Sequence, residues 1–233
     1  RYDAWSFQPL GHLTDATAAA LQPVTIEDTR PAEAAPEAVG GNVTVGSFNV
    51  LNYFTTLGQD VAGCSAYRDR AGNPVTTNGC RPRAPPPPEA SPRQQEKIAA
   101  AINGLGTSVV ALEEIENSEK FGLDRDHALA HLVEALNAQA GEQRWAYVAS
   151  PATRPALADE DVIRSAFIYQ PAEVTPVGES VILDDQTNFD NAREPMAQLF
   201  RAADGTSEGA AGTDFVAITN HFKSKGGSGA TGD

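Results

Sequence analysis

Four consecutive prolines, Pro85-Pro86-Pro87-Pro88, constrain this chain more than any other run in it. Proline fixes φ and carries no amide hydrogen, so such a run enters neither a helix interior nor a central strand. The stretch from Tyr53 to about Ala90 therefore reads as an irregular surface excursion between regular elements. Before it, Val43-Thr-Val-Gly-Ser-Phe-Asn-Val-Leu-Asn52 is β-branched and partly alternating, the signature of a strand. After it, Ser91 at the N-cap, Pro92 at the first helical position and Gln94 at capping-box spacing predict a helix. Ile98, Ile102 and Leu105 supply its apolar stripe, and Gly104 and Gly106 mark its end.

The run Val109-Val-Ala-Leu112 then reads as a buried strand. A second helix is predicted from about Asp126 to Ala140, with Leu129, Leu132, Val133 and Leu136 on one face and Gly141 placed to stop it. Further strands are expected at Trp145–Ala149, Ala166–Tyr169, Val174–Leu183, Met196–Phe200 and Phe215–His221. Helices alternating with strands, followed by a strand-rich section, predict α/β layers. Residues 1–40 read as an N-terminal extension and linker, Ala/Pro/Glu-rich from Thr29 to Gly41, and 41–233 as the main domain with its insertion at 53–92. No run of eighteen apolar residues occurs, so no membrane-spanning helix is expected.

Charge bears on function. Asp and Glu number 31 against 17 Lys and Arg, for a net −14. Proteins that track nucleic-acid backbones usually carry the opposite sign. The objection weakens for an enzyme whose positive charge comes from bound divalent cations; otherwise an acidic surface simply aids solubility. The two cysteines, Cys64 and Cys80, flank a polar, Gly-containing loop and suit a disulfide in an oxidising compartment better than two free thiols. Closing a loop of that size stabilises by roughly 3 kcal/mol in the chain-entropy model.

Four groups of residues have chemical potential. Glu113-Glu114-Ile115-Glu116 follows the Val109–Leu112 strand, at a strand end of the kind where open α/β folds bind ligands. On strict alternation Glu114 shares a face with Leu112. A hard cation such as Mg²⁺ takes oxygen ligands, often one or two carboxylates plus substrate phosphate. Asn49 is a polar amide within a strand and needs hydrogen-bond partners if buried. Asn220-His221-Phe-Lys-Ser-Lys225 ends an apolar strand, offering an acid or base in His221 and phosphate attraction in Lys223 and Lys225. Arg193, in Arg193-Glu-Pro195, has the guanidinium geometry to clamp a phosphate. Taken singly, each also has a plain structural reading: hydrated strand end, satisfied amide, core histidine, solvated arginine.

Their order along the chain adds more. A Phe-Asn-Val strand, a capped helix and Val-Val-Ala-Leu-Glu-Glu-Ile-Glu-Asn are followed by Ile163-Arg-Ser-Ala-Phe-Ile-Tyr-Gln-Pro171, Ala192-Arg-Glu-Pro195 and Asn220-His221-Phe222. This succession resembles the endonuclease/exonuclease/phosphatase superfamily, which includes pancreatic-type DNases, apurinic endonucleases and neutral sphingomyelinases. Ser47-Phe-Asn-Val-Leu-Asn-Tyr-Phe-Thr-Thr56 and His221-Phe-Lys-Ser-Lys-Gly226 look like the ExeM/NucH group of bacterial extracellular endonucleases. The resemblance runs from Gly41 to the C-terminus.

The resemblance implies a four-layer α/β sandwich: two β-sheets face to face with helices outside, incomplete in this chain. It implies phosphodiester hydrolysis, with DNA as the expected substrate and RNA as an alternative. Mg²⁺ is the expected cofactor, with Mn²⁺ or Ca²⁺ as alternatives, and the location would be extracellular or periplasmic. Glu114 matches the metal-binding carboxylate, Asn49 the residue that helps hold metal and phosphate, and His221 the first catalytic histidine. Arg193 matches a backbone-contacting position; Asn220 and Lys223 flank His221 as substrate-binding candidates. The Cys64–Cys80 pair suits the extracellular group. Two departures stand out. Ile163 and Arg164 occupy the place of a second acidic residue, leaving Asp161 as the nearest carboxylate. The family's later motifs, an Asp-x-Asn and a terminal Asp-His pair, do not occur between His221 and Asp233; they are expected in a remaining C-terminal part, and the 233 residues alone are expected to be inactive or nearly so. A phosphatase or phospholipase of the same fold, and a non-catalytic surface module, are the rival readings.

Overall fold

The computed structural model describes residues 14, 27–29, 35–80, 90–185, 187–189, 192–203 and 213–223. The proline run, the Tyr2–Pro9 opening, Lys225 and the glycine-rich end lie outside the described residues. The chain divides into two compact units, Arg1–Ala34 and Ala35–Asp233. The second holds every regular element described: β1 (Val45–Tyr53), β2 (Ser65–Arg68), β3 (Pro74–Asn78), α1 (Ala90–Leu105), β4 (Val109–Glu116), α2 (His127–Ala140), β5 (Ala146–Tyr147), β6 (Ile163–Tyr169), β7 (Val174–Pro176), β8 (Val181–Ile182), β9 (Met196–Ala202) and β10 (Asp214–Thr219).

The first sheet has the order β1-β4-β6-β5, with β1 and β4 parallel and the other pairs antiparallel. The second has the order β10-β9-β7, with β8 also on β9, and is antiparallel throughout. The first half of β4, Val109–Leu112, is apolar without a break because both its faces are covered. Val110, Leu112 and Ile115 pack with Ile98 and Ile102 of α1 and with Leu129, Leu132 and Leu136 of α2. Val109 and Ala111 point the other way and join Phe167, Val174, Met196, Phe200 and Ala217, which fill the space between the sheets. There the rings of Phe167 and Phe200 meet edge-on at 6.0 Å. Each fully buried Leu or Phe in these layers contributes about 1.5–3 kcal/mol.

The result is an α/β sandwich in which the two sheets pack face to face. The described helices cover only the first sheet; on the outer face of the second, Val216 and Ile218 are 59% and 62% exposed.

The excursion after β1 is more regular than its sequence predicts. It contains a 3-10 turn at Gly58–Asp60 and the β2–β3 hairpin, closed by a Cys64–Cys80 disulfide with its Cα atoms 5.3 Å apart. Any side chain at Gly58 would collide with the Thr77 methyl group, so glycine lets the turn lie against the hairpin. Helix α1 begins at Ala90, ahead of the expected N-cap at Ser91. Pro92 still falls in the first turn, where its missing N–H removes no helical hydrogen bond.

Strand β4 runs four residues past Leu112 because its acidic end finds partners. Glu116, fully buried, accepts hydrogen bonds from the Thr55 and Thr56 amides and from the Thr55 and Ser118 hydroxyls. The expected Val174–Leu183 strand is broken into β7 and β8, with Gly178 between them at φ +71°. Helix α2 stops at Gly141 as predicted, in the left-handed conformation (φ +75°). Asp126, at its start, makes no side-chain cap; the carboxylate serves Ser150 and Arg164. Arg164 is buried, and burial draws its guanidinium down to about 10 while Asp126 opposes the shift. Beside it Arg125 forms a bidentate pair with Glu160, to which Asn117 also donates.

Candidate functional site

The layer between the sheets changes character at one end. Along β4 the inward row runs from Ala111 to Glu113, along β6 from Phe167 back to Ser165, and along β10 from Ala217 to Thr219. Register brings these ends together within each sheet: Leu112 lies opposite Ala166, Ile115 opposite Arg164, and Thr219 opposite Met196. Apolar packing thus gives way to polar side chains at the carboxyl ends of β1, β4 and β10.

The backbone is irregular at the same place. Leu51, Asn52 and Glu114 are the non-glycine residues with positive φ among those described, at +55°, +56° and +67°. Such conformations cost about 1–3 kcal/mol each and persist where the surroundings impose them. Pairing with β1 slips between Asn49 and Tyr53, and pairing with β6 slips between Leu112 and Ile115. The bulge changes the facing of β4. Ile115, not Glu114, joins Leu112 in the core under the helices, so strict alternation fails at Glu114. Local hydrogen bonds hold the kink: the Leu51 amide donates to Asn49 Oδ1 at 2.8 Å, and the Asn52 amide to Glu114 Oε2 at 3.0 Å.

Glu114 is therefore pinned on one oxygen while the other, Oε1, lies 3.5 Å from His221 Nε2. Both side chains are mostly buried, 17% and 14% exposed. His221 comes just after β10, which ends at Thr219 rather than reaching the histidine. Asn49 lies directly opposite Glu113 across the β1–β4 pair and is exposed, not buried. Glu113 accepts a hydrogen bond from the Ser47 hydroxyl at 2.8 Å. Burial pushes the Glu113 carboxyl above its ordinary range; the Ser47 hydrogen bond opposes this and the charge on Glu114 adds to it.

The other candidates fare differently. Arg193 lies just before β9 at the same end of the second sheet, but its guanidinium pairs with Asp161 at 3.6 Å. Asp161 thus has a partner in Arg193, and Arg164 turns away to Asp126 on the helix side. Asn220 and Lys223 are exposed.

Two residues gain importance that sequence reasoning gave neither. Glu113 is a second carboxylate beside Glu114, and the Glu-Glu doublet was its visible signal. Asn52 supplies the amide that pins Glu114, and its own Oδ1 is buried without a hydrogen-bond partner. No spacing rule announces a left-handed asparagine.

Among the described residues, no group of three or more His, Cys, Asp or Glu side chains is disposed to hold a metal. The donors at this end are instead oxygens: the Glu114 carboxylate, the amide oxygens of Asn49 and Asn52, and the Glu113 carboxylate. Such a set fits a hard divalent cation that keeps several waters or takes substrate oxygens, and the orphaned Asn52 oxygen is one buried acceptor that such a group would satisfy.

No family model matches this chain, and no curated protein matches it. Among solved structures it is similar to the crystal structure of ANGEL2, a 2',3'-cyclic phosphatase, at 11% identity and a TM-score of 0.25. The match covers 48% of this chain and 26% of that one. At that size the likeness defines neither a fold nor an activity. No described helix is long and apolar enough to cross a membrane.

Proposed function

We propose that this chain carries part of the active site of a divalent-metal-dependent phosphodiesterase, an endonuclease acting on DNA outside the cytoplasm. One observation carries the reading: a carboxylate held in a bulge at a sheet's rim, one oxygen fixed by the Asn52 amide and the other facing His221. The succession of motifs from Asn49 to His221 supports the substrate class. The Cys64–Cys80 disulfide supports an oxidising, extracellular or periplasmic location.

Glu114 and Asn49 would hold Mg²⁺, or Mn²⁺ or Ca²⁺ in its place, with Asn52 and Glu113 close by. A bound cation of this kind supplies charge stabilisation at a phosphate oxygen. The protein's own groups do the rest. Asn49 Oδ1 accepts from the Leu51 amide and keeps a second lone pair for the cation, while its NH₂ hydrogens would donate to a phosphate oxygen. His221, when protonated, donates from Nε2 to the phosphate or to the leaving oxygen, which must gain a proton as its bond to phosphorus breaks. Arg193 adds positive charge along the backbone of the substrate, partly offset by Asp161. Asn220 and Lys223 extend that contact from the exposed side.

The test is a panel of plasmid DNA, RNA and sphingomyelin, incubated with the full-length protein with and without a chelator. DNA cleavage is expected, abolished by chelation and restored by Mg²⁺. Sphingomyelin turnover without DNA cleavage would transfer the site to a phospholipase. Failure to cleave any phosphoester would favour a non-catalytic module.

A further inference from the structure

We infer that Gln94, on the first turns of α1, is a positioning residue for this site. It holds the left-handed kink of β1 that aims the Asn52 amide at Glu114. Its role as a metal-positioning group rests on the metal reading above, whereas its hold on the kink does not.

The observation is local. Gln94 Nε2 donates to the Leu51 carbonyl at 2.9 Å and lies 3.4 Å from the Val50 carbonyl. Those carbonyls belong to the segment where β1 leaves its ladder with β4, so no neighbouring strand takes them in regular pairing. Leu51 and Asn52 both sit at positive φ, and without compensation each would relax toward extended backbone. Relaxation would swing the Asn52 N–H away from Glu114 Oε2, where it now donates at 3.0 Å.

The kink is gripped on both sides. Upstream, Asn49 Oδ1 takes the Leu51 amide. Downstream, the hydroxyl of buried Tyr53 lies 2.7 Å from Gln95 Oε1 and 2.8 Å from His131 Nδ1, tying the end of β1 to both helices. Of these groups, Gln94 is the side chain from α1 that reaches the strained residues themselves. Two hydrogen bonds on the two ends of a single peptide unit therefore link helix to carboxylate: Gln94 to the Leu51 carbonyl, and the Asn52 amide of the same peptide to Glu114. Supporting groups behind a metal ligand typically influence affinity by about 10–100-fold.

Two variants separate this role from packing. Gln94→Met keeps the length and helix preference and removes the donor. Gln94→Glu keeps the shape and replaces the amide donor with an acceptor. Hydrogen exchange at the Asn52 amide, followed by NMR, reads the kink without any metal, and calorimetric titration with Mg²⁺ reads the site. Both variants are expected to exchange the Asn52 amide at least about tenfold faster and to bind Mg²⁺ about tenfold more weakly, with Ile98 and Ile102 of α1 still protected. Unchanged Asn52 exchange in both variants would overturn the inference whatever the metal does. Faster exchange with unaltered Mg²⁺ affinity would overturn the positioning role. Faster exchange in a protein whose wild type binds no Mg²⁺ would support the hold on the kink and sink the metal reading instead.

Discussion

Changing Glu114 to Gln in the full-length protein is expected to abolish site-specific Mg²⁺ binding and to lower metal-dependent phosphodiester cleavage by at least about a hundredfold, the scale seen when a single electrostatic stabiliser is lost. The substitution preserves volume and still offers an oxygen to the Asn52 amide, so the bulge should survive. What disappears is the negative charge that a hard cation requires. Stability should change little, because the site opposes two neighbouring carboxylates and Glu114→Gln relieves that repulsion. Circular dichroism and a denaturation midpoint on the same sample distinguish a dead site from a misfolded chain. Unaltered turnover in a folded Glu114→Gln protein would remove the metal assignment.

The second large effect concerns folding. Glu160→Ala leaves the buried Arg125 guanidinium without its bidentate partner and takes an acceptor from Asn117. Breaking a buried pair from one side costs about 3–5 kcal/mol, because the remaining charge stays out of water; Glu119, 3.8 Å from Arg125 Nη1, offsets part of that loss. That is a large share of the roughly 5–15 kcal/mol that holds a domain together. The half-exposed Arg154–Glu119 pair is the natural comparison: Arg154→Ala should cost about 1 kcal/mol or less, since solvent screens it. Urea unfolding of both variants tests the contrast. Equal midpoints for Glu160→Ala and Arg154→Ala would show that the buried network contributes no more than a surface contact.

Much of the architecture was legible because it follows from periodicity. The 3.6-residue stripes of Ile98/Ile102 and Leu129/Leu132/Leu136 gave both helices their buried faces. The unbroken apolar run at Val109–Leu112 signalled a strand covered on two sides, as the packing bears out. Gly141 ended its helix for the reason the sequence suggests, a left-handed residue that favours glycine. The misses share a cause: local rules do not see tertiary partners. Strand β4 continues through Glu116 because Thr55 and Thr56, far upstream in sequence, supply hydrogen bonds alongside the neighbouring Ser118. Gln94 has capping-box spacing, yet its amide is spent on Leu51 across the fold. The hairpin within the excursion is short and closed by a disulfide, so its pairing needed no strong alternation.

The candidate site was legible in part. Asn49, Glu114 and His221 were recognisable by residue type and order, and the fold brings Glu114 and His221 to 3.5 Å with Asn49 opposite the neighbouring Glu113. Their orientation was not readable, since it depends on positive φ at Leu51, Asn52 and Glu114, residue types that carry no signal for it. Alternation alone would have sent the Glu114 carboxylate toward the helices. The bulge redirects it, and that redirection decides whether the residue is structural or available to a ligand.

The central proposal is a cation held by Glu114 beside Asn49 and His221. The most direct measurement is the anomalous scattering of a crystal grown with Mn²⁺ as a detectable substitute for Mg²⁺. An anomalous peak about 2.1–2.2 Å from a Glu114 carboxylate oxygen, at the rim between the two sheets, is the predicted result. Manganese bound only elsewhere, with Glu114 still paired to His221 and no density between them, would contradict it.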